Sequence, residues 1–237
     1  KAVEFGRAIY NNLFNYVRFQ MEQLVGFISA YLLAAYLVVL GGEPFSPFVV
    51  LFLNFVITVP LAIALGLDKP ASDLMEHTPR PLKQPILNRS QWVRIAFIGI
   101  LTAIFVVYVE AAYYVAGDAA AEATAATMGF VAFALLSVVM GLSARYETQT
   151  AFNRDIFHDR TQMLLYGIAL GMTFLATEMN VFQELLGLTS LTGDQWLIII
   201  GCSIALLLVD EVFKFFLRRR HGHGAGRSAP AAATSIS

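Results

Sequence analysis

The chain has 237 residues, of which 57% are hydrophobic and only 14% charged, and its mean hydropathy is +0.65. A soluble domain carries about 45–50% apolar and about 25% charged residues, so both departures point to a polytopic membrane protein. The net charge of −1 gives no global nucleic-acid signal, and a single cysteine, Cys202, excludes an internal disulfide or a multi-cysteine metal site.

The N-terminal stretch "KAVEFGRAIYNN" is polar, mixed in charge and unlike a signal peptide; it reads as the interior of a longer chain. A membrane-crossing helix needs about 20 mainly apolar residues. Six stretches qualify in the sequence: Phe19 to Leu40, Phe48 to Leu67, Ile95 to Val115, Ala125 to Leu142, Met163 to Phe182 and Trp196 to Leu217. The expected fold is therefore an all-α membrane protein, a bundle of six transmembrane helices. The expected division is residues 1–18 ahead of the membrane, 19–217 the six-helix transmembrane domain and 218–237 a disordered basic tail suited to anionic lipid heads.

All 16 Lys and Arg residues fall before the first span, between the second and third, between the fourth and fifth, or at the end of the sixth and beyond. The three opposite loops, "GGEPFSP", "AGDAAAEATAAT" and "NVFQELLGLTSLTGDQ", have none. The positive-inside rule then puts both termini in the cytoplasm. No internal repeat of the kind common in secondary transporters is evident.

Polar groups inside a membrane are costly, so each needs a reason. The first span carries Gln20, Glu22 and Gln23, which either sit at the headgroup level or line a path into the bundle. The second span is the informative one. Asn54 and Thr58 are four residues apart, on one helix face. Pro60 has no N–H and clashes with the carbonyl of Val56, which frees carbonyls around Asn54, Val56 and Ile57. Such carbonyls must find protein partners or line a wet cavity, and oxygens of this kind suit hard cations. The competing reading is a packing kink, with Asn54 and Thr58 bonded to neighbouring helices. Glu110 in the third span either snorkels to the external surface or faces a pathway. Ser137 and Ser143 in the fourth read as packing residues. Glu178 reads as interfacial, and Asp210 is placed to pair with Lys214 at i,i+4.

Several segments together resemble P-type cation-transporting ATPases of the type II, calcium-pump-like group. "EFGRAIYNN" is similar to their junction between the phosphorylation domain and the fifth membrane helix. "PFSPFVVLFLNFVITVPLAIALGLDKPASDLMEHTPRPLKQPIL" resembles the sixth helix and the loop after it, and "LTSLTGDQWLIIIGCSIALLLVDEVFKFFLRR" the ninth and tenth helices. The resemblance runs from about Val3 to Arg220 and makes the six spans family helices five to ten. It implies the membrane part of an ATP-driven cation pump, coupled to cytoplasmic ATPase domains of the same parent chain through Arg7, Tyr10, Asn11, Asp68, Lys69 and Pro70.

The motifs "DKTGT", "TGES" and "GDGxNDxPAL" are missing from the chain, and no other nucleotide motif replaces them. No catalytic residue and no resident cofactor are therefore expected here; ATP and Mg would serve the parent protein, and the transported species is a cation. The alternative is a free-standing six-helix subunit, channel or regulator derived from the pump fold. The calcium-pump pattern places an Asn and a Glu where this chain has Leu24 and Phe27. It places Asn, Thr and Asp where this chain has Asn54, Ile57 and Thr58, and an acidic ligand near Ser137. Only Asn54 is kept. The candidate ion-binding set is Asn54, Val56, Ile57, Thr58, Ser137 and Glu22, with Pro60 unwinding the helix. The partners expected are the lipid bilayer and the ATPase domains, and the expected location is a prokaryotic cytoplasmic membrane.

Overall fold

The computed structural model describes residues 2–68, 87–145 and 159–222. Lys69 and Pro70, and the tail from residue 223, lie outside the described residues. Among the described residues every regular element is helical. The first helix, α1, runs unbroken over Ala2–Leu37 and so joins the expected junction segment to the first span without a hinge. It ends in a left-handed turn: Val38 has φ 56° and Leu40 φ 48°, followed by Gly41 and Gly42 at positive φ. Gly42 is needed twice over there, since a Cβ on it would also lie 3.2 Å from the backbone of Ala35.

The second span consists of α2 (Pro47–Phe52), a π-helical segment (Leu53–Thr58) and α3 (Val59–Gly66). Ser46 caps it by accepting from the Val49 N–H at 3.3 Å, with Pro47 in the first turn, where its missing N–H costs nothing. Next comes α4 (Arg89–Tyr113), started by a capping box in which Gln91 accepts from the Asn88 N–H at 2.7 Å. Asp118 caps α5 (Ala119–Ala144) and Asp159 caps α6 (Arg160–Glu178) through their carboxylates. A short α7 (Asn180–Leu186) leads to α8 (Gly193–Gly222).

The core sits on α5, which is apolar nearly all round and buried along most of its length, from Ala125 to Ala144. A helix with no polar stripe must be enclosed on every side. It is packed by α4, α8, α6 and α1, and the most extensive helix pairing is α1 with α4. Gly26 on α1 and Gly99 on α4 allow that approach. A Cβ on Gly99 would lie 2.7 Å from the Val25 side chain and 2.9 Å from the Glu22 carbonyl.

Side-chain bonds fix the direction of the passes. The start of α4 meets the ends of α5 and α8 through Arg94, Ser143 and Asp210. The end of α5 meets α1 at Arg18 and the end of the second span at Asp68. The start of α6 meets α3 through Gln162 and the Ala64 carbonyl. At the other end of the bundle the Thr189 N–H, ahead of α8, bonds the Thr127 hydroxyl near the start of α5 at 2.9 Å. The chain thus shuttles between an end that holds Arg18, Arg94, Arg145 and Lys214 and an end whose charged residues, such as Asp118 and Glu122, are acidic.

Four elements are long and apolar enough to cross a membrane: Pro47–Gly66, Arg89–Tyr113, Ala119–Ala144 and Gly193–Phe215. The protein is therefore an integral, multi-pass membrane protein. Two expectations change. The stretch Met163 to Phe182 is not one straight span: extended backbone at Met179 separates α6 from α7, and the two meet at 85°. They form a fifth crossing only as a bent pair. In α1, Gln20, Glu22 and Gln23 confine the apolar part of the helix to Leu24–Leu37, so this element does not stand with the four by length and composition.

Candidate cation site

Pro60 disturbs the second span, but in a different form from the one its chemistry suggested. The helix widens rather than unwinds. Leu53 to Thr58 close their hydrogen bonds one residue further along, the Val59 N–H reaches the Asn54 carbonyl, and the flanking residues keep helical dihedrals. A π segment of this kind absorbs one residue of register beside the proline and keeps most carbonyls bonded, which full unwinding would not. The correction concerns the unwinding expected from Pro60: Val56 and Ile57 lie in a π-helical segment, not in an open chain, and Pro60 itself lies in the first turn of α3.

The widening also separates side chains that the sequence put on one face. Thr58 is buried (3% exposed) and Ile57 is fully buried, whereas Asn54 lies on the exposed side of the bundle, with Leu51, Phe55 and Val59. The Asn54 amide donates back to the Val50 carbonyl of its own helix at 2.8 Å. Val56 is half-buried. Ser137 on α5 is buried and donates to its own Phe133 carbonyl at 2.7 Å, as a packing serine does.

The position where the resemblance expects an acidic ligand on the first membrane helix is closed. Phe27 packs against Phe133 with ring centroids 4.1 Å apart and against Phe45 at 5.5 Å, and Phe45 in turn meets Phe133 at 5.5 Å. An aromatic cluster occupies that volume. Leu24, at the other lost position, is half-exposed.

Glu22 is buried (1% exposed), not at the headgroup level, so the solvated reading of it fails. It sits within electrostatic range of Arg94, Arg18, Asp210 and Lys214. No hydrogen bond or ion pair among the described residues joins it to Asn54 or Thr58. It belongs to a buried polar cluster at the basic end of the bundle. There Arg94 donates to Asp210 at 2.6 and 3.1 Å and to the Ser143 hydroxyl at 2.9 Å. Ser143 donates to the other Asp210 oxygen, which Lys214 approaches at 3.1 Å. Arg18 donates to the Ala144 carbonyl at 2.6 Å. The Asp210–Lys214 pair was legible from i,i+4 spacing. Arg94 and Ser143 were not, because the helices that bring them to Asp210 are far apart in sequence. The packing role expected for Ser143 is thus replaced by a polar one.

At the same end, Arg145 holds Asp68 through two bonds of 2.7 and 2.8 Å. The Asn12 amide donates to the Gly66 and Asp68 carbonyls at 3.1 and 2.8 Å. Of the expected coupling residues, Asp68 is therefore tied to α1 and α5. It is Asn12, beside the expected Asn11, that reaches across. Arg7 and Asn11 are half-buried on the first turns of α1, and Tyr10 is 39% exposed.

Residues 42–216 match the family described as cation transporting ATPase, C-terminus. The chain belongs to that family. Calcium-transporting ATPase 1 of Schizosaccharomyces pombe is 29% identical over 227 residues, 92% of this chain and 24% of the relative. Calcium-transporting ATPase 1 of Bacillus cereus is 27% identical over 232 residues, 90% of this chain and 25% of the relative. Calcium-transporting ATPase type 2C member 2 of Rattus norvegicus is 26% identical over 222 residues, 90% of this chain and 22% of the relative. The chain thus spans about a quarter of the length of these curated relatives. They come from a yeast, a bacterium and a mammal, so membership of this family of cation-transporting ATPases does not select the prokaryotic membrane expected from the sequence.

Proposed function

We propose that this chain is the transmembrane transport domain of an ATP-driven cation pump and carries part of its ion site. In this reading α1, the second span, α4, α5, the bent α6–α7 pair and α8 make six passes with both ends in the cytoplasm. The observation that carries it is the π segment at Leu53–Thr58 beside Pro60, in a chain of this family. Irregular backbone at membrane depth is tolerated where it lines a cavity or an ion site.

The ligands this chain would offer are neutral oxygens: the Asn54 amide, the Thr58 hydroxyl and carbonyls around Val56 and Ile57. Asn54 faces the exposed side, which suits a site shared with helices of the parent protein outside this chain. Among the described residues no three His, Cys, Asp or Glu side chains gather as a metal-binding group. A dehydrated divalent ion needs several anionic oxygens. The reading is therefore a site of low charge in this chain, with any carboxylates supplied from elsewhere. Glu22 and Ser137 stand apart from Asn54 and are assigned here to the charged cluster and to packing. ATP and Mg act on the cytoplasmic domains of the parent, which Asp68, Arg145 and Asn12 would help couple to the membrane helices.

The test uses the complete protein encoded by the full reading frame. Asn54→Ala should weaken the cation dependence of phosphorylation by tenfold or more, on the order of 1.4 kcal/mol. An unchanged cation dependence removes Asn54 from the site. A full reading frame without an aspartyl-phosphate motif ahead of Lys1 would overturn the pump reading itself.

A further inference from the structure

Glu110 lies in α4 one turn before its end, and none of the readings above uses it. It is 0% exposed, so it does not snorkel to the surface. Neither carboxylate oxygen has a hydrogen-bond partner among the described residues. The side chain is seated on Gly129 of α5, and a Cβ on that glycine would overlap Oε1 and approach the carboxyl carbon at 2.6 Å. The glycine is thus a cradle shaped to the carboxyl group, on a helix whose neighbouring positions are large or β-branched: Thr127, Met128, Phe130 and Val131.

On α5, Thr127 donates its hydroxyl to the Ala123 carbonyl at 2.7 Å and accepts from the Thr189 N–H, so both its roles are filled. On α1, Tyr31 lies within electrostatic range, but its hydroxyl donates to the Phe45 carbonyl at 2.8 Å. Glu43, after the left-handed turn, is a further acid in range of that tyrosine. No arginine, lysine or histidine of the described elements acts on Glu110. The charged cluster of Arg18, Arg94 and Lys214 is built at the opposite end of the bundle.

A bare carboxylate in such a place has nothing to offset its lost hydration. A metal cation would need several more oxygens, and the cradle supplies none that is uncommitted. One ligand remains that neutralises the group without further partners. We propose that Glu110, seated on Gly129, is an intramembrane proton-binding site, separate from the cation site on the second span. Binding converts the carboxylate to the acid with no other bond changed. Losing the proton requires water or another proton acceptor to reach the carboxyl, so deprotonation is linked to opening of the α4–α5 contact.

The experiment is infrared spectroscopy of the full chain in lipid, read at the carbonyl stretch of a protonated carboxylic acid. At neutral pH the wild type should show this band, and it should shift on transfer to heavy water. Glu110→Gln should remove it while leaving the melting temperature close to wild type, because the neutral amide has nearly the shape of the neutral acid. Glu110→Asp, a second variant, should move the band rather than remove it, since the shorter carboxyl sits differently on Gly129. A wild-type spectrum without the band at neutral pH, or a band that Glu110→Gln and Glu110→Asp both leave unchanged, overturns the proposal. Neither result bears on Asn54, whose test reads cation dependence instead.

Discussion

Single residues carry this protein's largest electrostatic stakes. Arg94 and Asp210 are each 3% exposed and bonded at 2.6 Å, with Ser143 and Lys214 closing the remaining sites on the carboxylate. Removing one member leaves the others charged and buried, which costs more than the pair contributes. Arg94→Met should therefore destabilise the chain by about 3–5 kcal/mol in detergent unfolding. Adding Asp210→Asn to the same chain should recover part of that loss, because the acid that lost its guanidinium partner is gone. If the double variant is as unstable as the sum of the two singles, the pair is not the unit that matters. The Asp210–Lys214 half of this cluster followed from helical spacing. The Arg94 and Ser143 half did not, because no local pattern tells which of 16 basic residues will fold onto a given acid. Glu22 is a similar case. Its position beside Gln20 and Gln23 suggested a solvated helix end, and only the packing of α1 on α4 buries it.

At the scale of elements, glycine placement and the second span decide most. Gly26 and Gly99 face the same α1–α4 contact but are not equivalent. A Cβ on Gly26 would meet nothing closer than 3.6 Å, whereas one on Gly99 would meet Val25 at 2.7 Å and backbone at 2.9 Å. Gly99→Ala should cost about 1–3 kcal/mol through overpacking, and Gly26→Ala should fall within about 0.5 kcal/mol of wild type. Thermal unfolding of both variants side by side would check the contrast, and equal melting temperatures would refute it. For the second span, Pro60→Ala in the complete protein should change cation affinity more than it changes protein abundance, if the π segment shapes an ion site. The reverse outcome favours a packing kink. The disturbance itself was readable from a proline inside an apolar run; its π form was not, since the same proline is compatible with a kink, an unwound turn or a bulge.

For the whole molecule, the six-pass reading makes a topological prediction. In a Cys202→Ala background, cysteines placed at Gly117 and Gly187 should react with a membrane-impermeant maleimide from outside intact cells. A cysteine at Arg160 should react only after permeabilisation. Labelling of Arg160→Cys in intact cells would reverse the orientation, and labelling of all three would break the alternation of passes. The partition of every Lys and Arg onto alternate loops is what sets out this topology, and it is read from the sequence alone. Composition, span length and motif resemblance are local or summed properties, so the sequence alone determined an all-helical membrane chain of the cation-transporting ATPase kind. Tertiary structure decided what depends on which helix faces touch. It set Asn54 outward and Thr58 inward, filled the Phe27 position with an aromatic cluster, bent the α6–α7 pair at Met179, and seated Glu110 on Gly129 without a partner. Those outcomes rest on contacts between segments distant in the chain, whose geometry no periodicity in a single helix encodes.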